Sequence, residues 1–338
     1  MSASMVTVNQ KEIAAGLRRL GLHAGDGVMV HSSLKSFGRV EGGPQAVIAA
    51  LMEVLTPEGT LLLPSFNHGA AFDPLPASPI GKTPMGEENS PLPPSSSEEA
   101  SKGEGLGRGY YDPGETPTTN GAIPDCFWRM PGVQRSLDPT HAFAAWGKHS
   151  QRYVTLHHRT LTMGPQSPLG LLGADGGYGL LLGVGYWANT FHHVVEMSTG
   201  APCLGLRSEA YPVKLPDGRM VQGRTWGWRE AACPITDHAV YAAEMQAYER
   251  VTTIGQCHAT LFRLQDVYTV IAHLLRQGIP VLRQGIPVLR QSIPDGVREI
   301  APPCSRCPIR PRRVPQTVAS DWDAAQQRPL PDSAAWSY

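Results

Sequence analysis

Residues 188–199 read ANTFHHVVEMST and follow the glycine-rich apolar run GGYGLLLGVGYW. If a helix starts near Thr190, His193 and Glu196 stand three positions apart and share one face of it. A carboxylate so placed can accept a hydrogen bond from one imidazole nitrogen. That fixes the tautomer and leaves the other nitrogen as a general base. Thr190 can cap the helix or offer its hydroxyl to a developing oxyanion. The plainer reading, helix caps beside a packed histidine, stays open on spacing alone. The H-E-x-x-H arrangement of zinc hydrolases is absent, and no metal is expected.

A second group of reactive side chains lies in HSSLKSFGRVEGG, residues 31–43. A loop between a strand and a helix brings backbone N–H groups and hydroxyls together, which suits an anionic ligand. His31, Ser32, Ser33, Lys35 and Ser36 are the groups available; an ordinary polar loop is the alternative. In RSLDPTHAFAAWG, residues 135–147, His141 precedes small apolar residues, where a lone histidine is more often structural. His157 and His158 read as surface residues. Cys304 and Cys307 form a C-x-x-C with no second pair to complete a zinc site. Six cysteines in 338 residues do not make a disulfide scaffold.

The elements that must carry these groups follow from periodicity. Ile13, Leu17 and Leu20 predict an amphipathic helix over 9–20. A short strand at VMVH is followed by a helix in GGPQAVIAALMEVLTPEG, with Pro44 near its start and Pro57-Glu58-Gly59 at its end. TLLLPSF, residues 60–66, is a second buried strand and GLLLGVG, residues 179–185, a third. Strand, loop, helix, strand predicts parallel pairing and an α/β fold. Helices are expected over 238–250 and 264–276.

Residues 74–112 are rich in Pro, Ser, Gly and Glu and are predicted to be a disordered insertion, flanked by FDP and YDP. GKT at 81–83 lacks the upstream glycine of a phosphate loop. RQGIPVL occurs twice in tandem, at 276–282 and 283–289, a local duplication rather than a solenoid unit. The chain reads as a single domain over 1–320 with a loose tail over 321–338. Twenty-nine basic residues balance 29 acidic ones. Nothing in that balance calls for nucleic acid or a membrane surface. No apolar run is long enough to span a bilayer and the N-terminus lacks an apolar signal core, so a cytoplasmic protein is expected.

Six segments resemble, in order, the aminoglycoside 3-N-acetyltransferase family: MVHSSLKSFGRVEGGPQAVIAALMEVLTPEGTLLLPSF, TPTTNGAIPDCFWRMPGVQRS, DPTHAFAAWG, GPQSPLGLL, GLLLGVGYWANTFHHVVE and CPIRP. The resemblance implies a three-layer α/β/α fold with a mixed central sheet. That fold is distinct from the commoner acetyltransferase fold, whose R/Q-x-x-G-x-G/A pyrophosphate loop is not found here. It implies transfer of an acetyl group from acetyl-CoA to the 3-amino group of a 2-deoxystreptamine aminoglycoside, in a ternary complex and without metal. By position His193 is then the base, Glu196 its orienting partner and Thr190 the oxyanion group, with His141 of second rank. The loop with His31, Ser32, Ser33, Lys35 and Ser36 would hold coenzyme A. Asp138 stands where many relatives have His, and Ala142 where they have Ser. Glu209, Asp217 and Glu230 are candidate carboxylates for a polycation. Another amine acceptor, a non-catalytic coenzyme A-binding relative and a Ser33–His193 hydrolase are the alternatives; a homodimer is left open.

Overall fold

The structure is a computed structural model that describes residues 6–67, 110–198, 206–228 and 238–277, with the backbone of four short strands beyond residue 296. Its strands are β1 (Thr7–Val8), β2 (Gly27–Ser32), β3 (Arg39–Val40), β4 (Thr60–Pro64), β5 (Gln134–Arg135), β6 (Phe143–Gly147), β7 (Tyr178–Leu182), β8 (Leu206–Lys214), β9 (Met220–Trp228), β10 (Arg250–Ile254) and β11 (Cys257–Arg263). Its helices are α1 (Gln10–Leu20), α2 (Gly43–Leu55), α3 (Ala122–Trp128), α4 (Ser150–Val154), α5 (Pro168–Ala174), α6 (Phe191–Ser198), α7 (His238–Met245) and α8 (Leu264–Gln277).

Seven strands form one sheet in the order β10-β11-β7-β2-β4-β6-β5. The central strands β7, β2 and β4 are parallel, and the outer pairs are antiparallel. Strand periodicity sorts the core into two layers. Val28, Val30, Leu61, Leu63, Leu180 and Leu182 face α1, α2 and α3. Met29, Leu62 and Leu181 face α5, α6 and α8 on the other side. These side chains are essentially fully buried, and each such burial contributes roughly 1.5–3 kcal/mol. The strand ends that carry the polar loops therefore sit on a well-anchored scaffold. The mixed three-layer α/β/α architecture agrees with the expectation.

Helix ends follow local chemistry. Asn9 and Glu12 make a reciprocal capping box on α1, which ends at Gly21 in the left-handed region. The expected helix over 238–250 stops at Met245, and a strand follows at Arg250. Of the expected disordered segment, residues 74–109 lie outside the described residues, as do GKT at 81–83 and Cys304 and Cys307. Tyr111 and Asp112, its last two residues, are buried. Tyr111 bridges to Val213 on the β8–β9 hairpin and donates its hydroxyl to the Ser136 carbonyl at 2.8 Å. The second copy of the heptad also lies outside the described residues. Within the expected tail, Trp322–Asp323 and Arg328–Pro329 pair antiparallel.

Candidate active site

In an open α/β sheet, ligands bind beyond the carboxyl ends of the parallel strands. Here those ends are Ser32 on β2, Pro64 on β4 and Leu182 on β7; Ser33, Lys35 and Ser36 follow β2, Thr190, His193 and Glu196 follow β7, and His31 and Ser32 end β2 itself. Ser33 N–H donates to the Leu182 carbonyl at 2.9 Å and ties the β2 and β7 loops together.

His31 pairs in register with Leu181, and alternation puts it on the α6 side of the sheet. It is 7% exposed. Its Nε2 lies 3.3 Å from Thr190 Oγ1. Burial, with a smaller contribution from nearby His192, pushes its imidazole down to about 3. His31 is therefore neutral at physiological pH, and it faces the start of α6 rather than the hydroxyls of its own loop.

Those hydroxyls occupy the short 3-10 turn Leu34–Phe37, anchored by buried Phe37. Ser36 donates to the Ser33 carbonyl at 2.7 Å. Ser32 Oγ is buried with no hydrogen-bond partner among the described residues, and Lys35 is exposed. Gly183 lets the two loops meet. Its φ is +68°, and a Cβ there would fall 1.8 Å from Ser36 Oγ.

The β7 loop enters α6 through a fixed turn. Asn189 is buried; its Oδ1 accepts from Phe191 N–H at 3.2 Å and its Nδ2 donates to Tyr241 Oη at 3.3 Å. The side chain that caps the start of α6 is thus Asn189, which leaves the Thr190 hydroxyl turned toward His31. His192 Nδ1 bonds the Asn189 carbonyl at 2.6 Å. A carbonyl only accepts, so the Nδ1–H tautomer of His192 is set. The His192 and His193 rings lie 3.9 Å apart. α6 carries Glu196 one turn after His193; its side chain lies outside the described residues. Trp187, on the turn between β7 and α6, is 64% exposed.

His141 stands beside the end of β4. Ser65 N–H donates to the Ala142 carbonyl and Asn67 N–H to the Thr140 carbonyl. The His141 ring lies 5.1 Å from Phe66, with its Nδ1 2.7 Å from Thr140 Oγ1. The loop is held from beneath by Asp138, fully buried, which accepts from the His141 and Thr140 amides and from the Thr162 hydroxyl. His157 is also buried, contrary to the surface expectation. Its Nε2 donates to the Thr162 carbonyl at 2.8 Å, and its Nδ1 lies 2.8 Å from Ser136 Oγ. His158 is buried as well, and burial first, then Arg159, push it down to about 4. The sequence signal missed for both was their place just before LTMGPQSPLG, a segment that buries nearly every apolar side chain. Among the candidate carboxylates, Asp217 pairs with Arg219 at the β8–β9 turn, and the side chains of Glu209 and Glu230 lie outside the described residues.

This arrangement gathers a hydroxyl, a neutral buried imidazole and two further histidines at one strand end. Among the described residues no group of three or more His, Cys, Asp or Glu is placed to hold a metal ion. Such a site can take a proton and donate a hydrogen bond to a developing oxyanion, the needs of acyl transfer. A sequence profile described as aminoglycoside 3-N-acetyltransferase matches residues 29–276, which include all of these groups. The chain belongs to the aminoglycoside 3-N-acetyltransferase family. It is 32% identical over 269 residues to the aminoglycoside N(3')-acetyltransferase-like protein YokD of Bacillus subtilis, covering 76% of this chain and 88% of the relative. It is 33% identical over 275 residues to aminoglycoside N(3)-acetyltransferase VII of Streptomyces paromomycinus, covering 77% and 88%. The crystal structure of YokD from Bacillus subtilis superposes with a TM-score of 0.60 at 29% identity, over 78% of this chain and 97% of that one. Members of the family are thus acetyltransferases by name, and this chain carries their fold through its site-bearing strands.

Proposed function

We propose that the protein transfers an acetyl group from acetyl-CoA to the 3-amino group of a 2-deoxystreptamine aminoglycoside within a ternary complex. The observation that carries this reading is the His31–Thr190 contact beside the His192–His193 pair, at the carboxyl ends of β2 and β7 in a chain of this family. Solved relatives in the same fold have been determined with coenzyme A and with apramycin.

The loop after β2 fits coenzyme A by its donor chemistry. Ser32 Oγ is a buried hydroxyl without a partner among the described residues, and Lys35 offers an exposed cation for phosphate. Acetyl-CoA brings an activated thioester. His193 is assigned the proton: an aminoglycoside amine is mostly protonated near neutral pH and must lose a proton before it attacks. Glu196, one turn along α6, is assigned to orient His193. His31 is assigned to Thr190. In its Nε2–H tautomer it donates to Thr190 Oγ1, so the threonine proton is directed outward to a carbonyl oxygen gaining charge. Because His31 stays neutral, this bond persists across the working pH range. His141, over Phe66, is assigned to the acceptor side. Exposed Trp187 offers an indole face to ammonium groups.

The test is a comparison of wild type with His193→Ala for acetyl transfer to aminoglycosides, with coenzyme A binding followed in parallel. Loss of transfer with coenzyme A binding retained is expected. Transfer that survives the substitution contradicts the assignment of the base.

A further inference from the structure

A cavity of about 930 Å³ opens at the β5 edge of the sheet, separated from β2 by β4 and β6. That volume is in the range of small-molecule sites. Its walls come from the 112–114 loop, the end of α3, β5, α4 and the end of β8. None of the groups assigned to acetyl transfer lines it.

Its charge is uneven. Among the described residues Arg129, Arg135 and Lys214 line it against one carboxylate, Asp112. Asp112 is already committed: Oδ2 to Lys214 Nζ at 2.9 Å and Oδ1 to Gly114 N–H at 2.9 Å. Asp125, behind the wall, holds Arg129 at 3.0 Å. Among the described residues Arg135 has no carboxylate within hydrogen-bond reach. It is 8% exposed, and among the described residues its guanidinium donates to main-chain carbonyls alone, those of Ser65, Thr116 and Pro113. Its Nε–H is buried with no acceptor among the described residues. The guanidinium lies 4.5 Å from the centre of the Trp128 ring, and Arg129 lies 4.1 Å from the same ring. Asp125 and Asp112 act on Arg135 only at a distance, and a cation held in low dielectric without a hydrogen-bonded carboxylate is costly by itself and projects a field into the space beside it.

We propose that this cavity is a second ligand site, taking a small organic anion: a phosphate or carboxylate on a flat apolar body. The body would lie against Val133, Val154 and Leu215, and the charge would answer Arg135. The heads of Arg129 and Lys214, half-exposed on long stems and paired with Asp125 and Asp112, can take the anion as a further partner without leaving those carboxylates. This site is independent of the acetyl-transfer assignment.

Isothermal titration of the full chain tests it with phenyl phosphate, inorganic phosphate and benzylamine, each with and without saturating coenzyme A. Phenyl phosphate should bind one per chain, more tightly than phosphate, and benzylamine should not bind. The double variant Arg129→Gln, Lys214→Gln should weaken phenyl phosphate roughly tenfold or more. Arg129 is exposed and Lys214 half-exposed, and Arg135 is left in place to hold its carbonyls. Retention of binding with coenzyme A present supports a separate site. No binding, equal binding of benzylamine, indifference to the double variant or displacement by coenzyme A would each overturn the proposal.

Discussion

Thr190 and His31 illustrate how a residue acquires its chemistry from its neighbours. A threonine at the mouth of a helix would ordinarily spend its hydroxyl on a cap. Asn189 takes that task here, and the Thr190 hydroxyl is left facing a neutral imidazole at 3.3 Å. Thr190→Val keeps the shape and removes the donor, so kcat should fall by about 10²-fold or more, the scale of losing one oxyanion-hole group. The KM for acetyl-CoA should stay near the wild-type value, and steady-state kinetics checks both. Trp187→Ala should raise the acceptor KM several-fold, as expected for an exposed cation–π contact of roughly 0.5–1 kcal/mol, with kcat unchanged. The histidine pair and Thr190 were legible in the sequence as a motif. The role of Asn189 was not, because it depends on Tyr241, which approaches from α7 and is remote in sequence.

At the scale of elements, two devices hold the loops in place. Gly183 is the first: a side chain there would meet Ser36 while forcing a residue with a Cβ into φ +68°. Gly183→Ala should cost about 1–3 kcal/mol for the strained backbone alone, lower the Tm, and raise the KM for acetyl-CoA because the β2 loop must move. An unchanged Tm and KM would show that the loops do not depend on this approach. The second is Asp138, whose carboxylate collects the amides and hydroxyl that shape the His141 loop. Asp138→Ala leaves those donors buried and unmet, each at about 1–3 kcal/mol, and thermal unfolding should show a correspondingly large loss. The strands β2, β4 and β7 were legible because each is a short, nearly continuous apolar run bounded by turn residues. The strands β10 and β11 were missed. Their polar alternation, RVTTI and CHATLFR around Gly255-Gln256, marks an edge hairpin that a search for buried strands passes over.

For the whole molecule, buried histidines tie stability to pH. His31, His157 and His158 are all depressed below their ordinary value, each chiefly by burial. The unfolded chain therefore binds more protons than the native one from about pH 6.5 downward, toward about 4 for His158 and about 3 for His31. Stability should rise with pH through that window and be fully present above it. The slope is about 1.4 kcal/mol per pH unit for each such group well inside the window. Calorimetry from pH 8 to pH 4 should show a falling Tm below about 6.5, and a flat profile would contradict it. His31→Asn should make the fall shallower. The composition of residues 75–108 carries a separate expectation: deleting them, while keeping Tyr111 and Asp112, should leave a single cooperative transition. The polar interior around Asp138, Ser136 and His157 was illegible for the same reason that it works. Its groups are satisfied by partners from different segments, and such pairing leaves no local pattern.

The measurement that bears most directly on the central claim is thiol release from acetyl-CoA, followed with a chromogenic disulfide, against gentamicin, tobramycin, neomycin and apramycin. Wild type and His193→Ala are run side by side. Release that requires the drug and falls at least about 10²-fold in the variant is the predicted result, the scale expected for loss of a general base. Release unchanged in His193→Ala would contradict the assignment of the base. No release with any of the four drugs, although coenzyme A binds, would contradict the aminoglycoside acceptor.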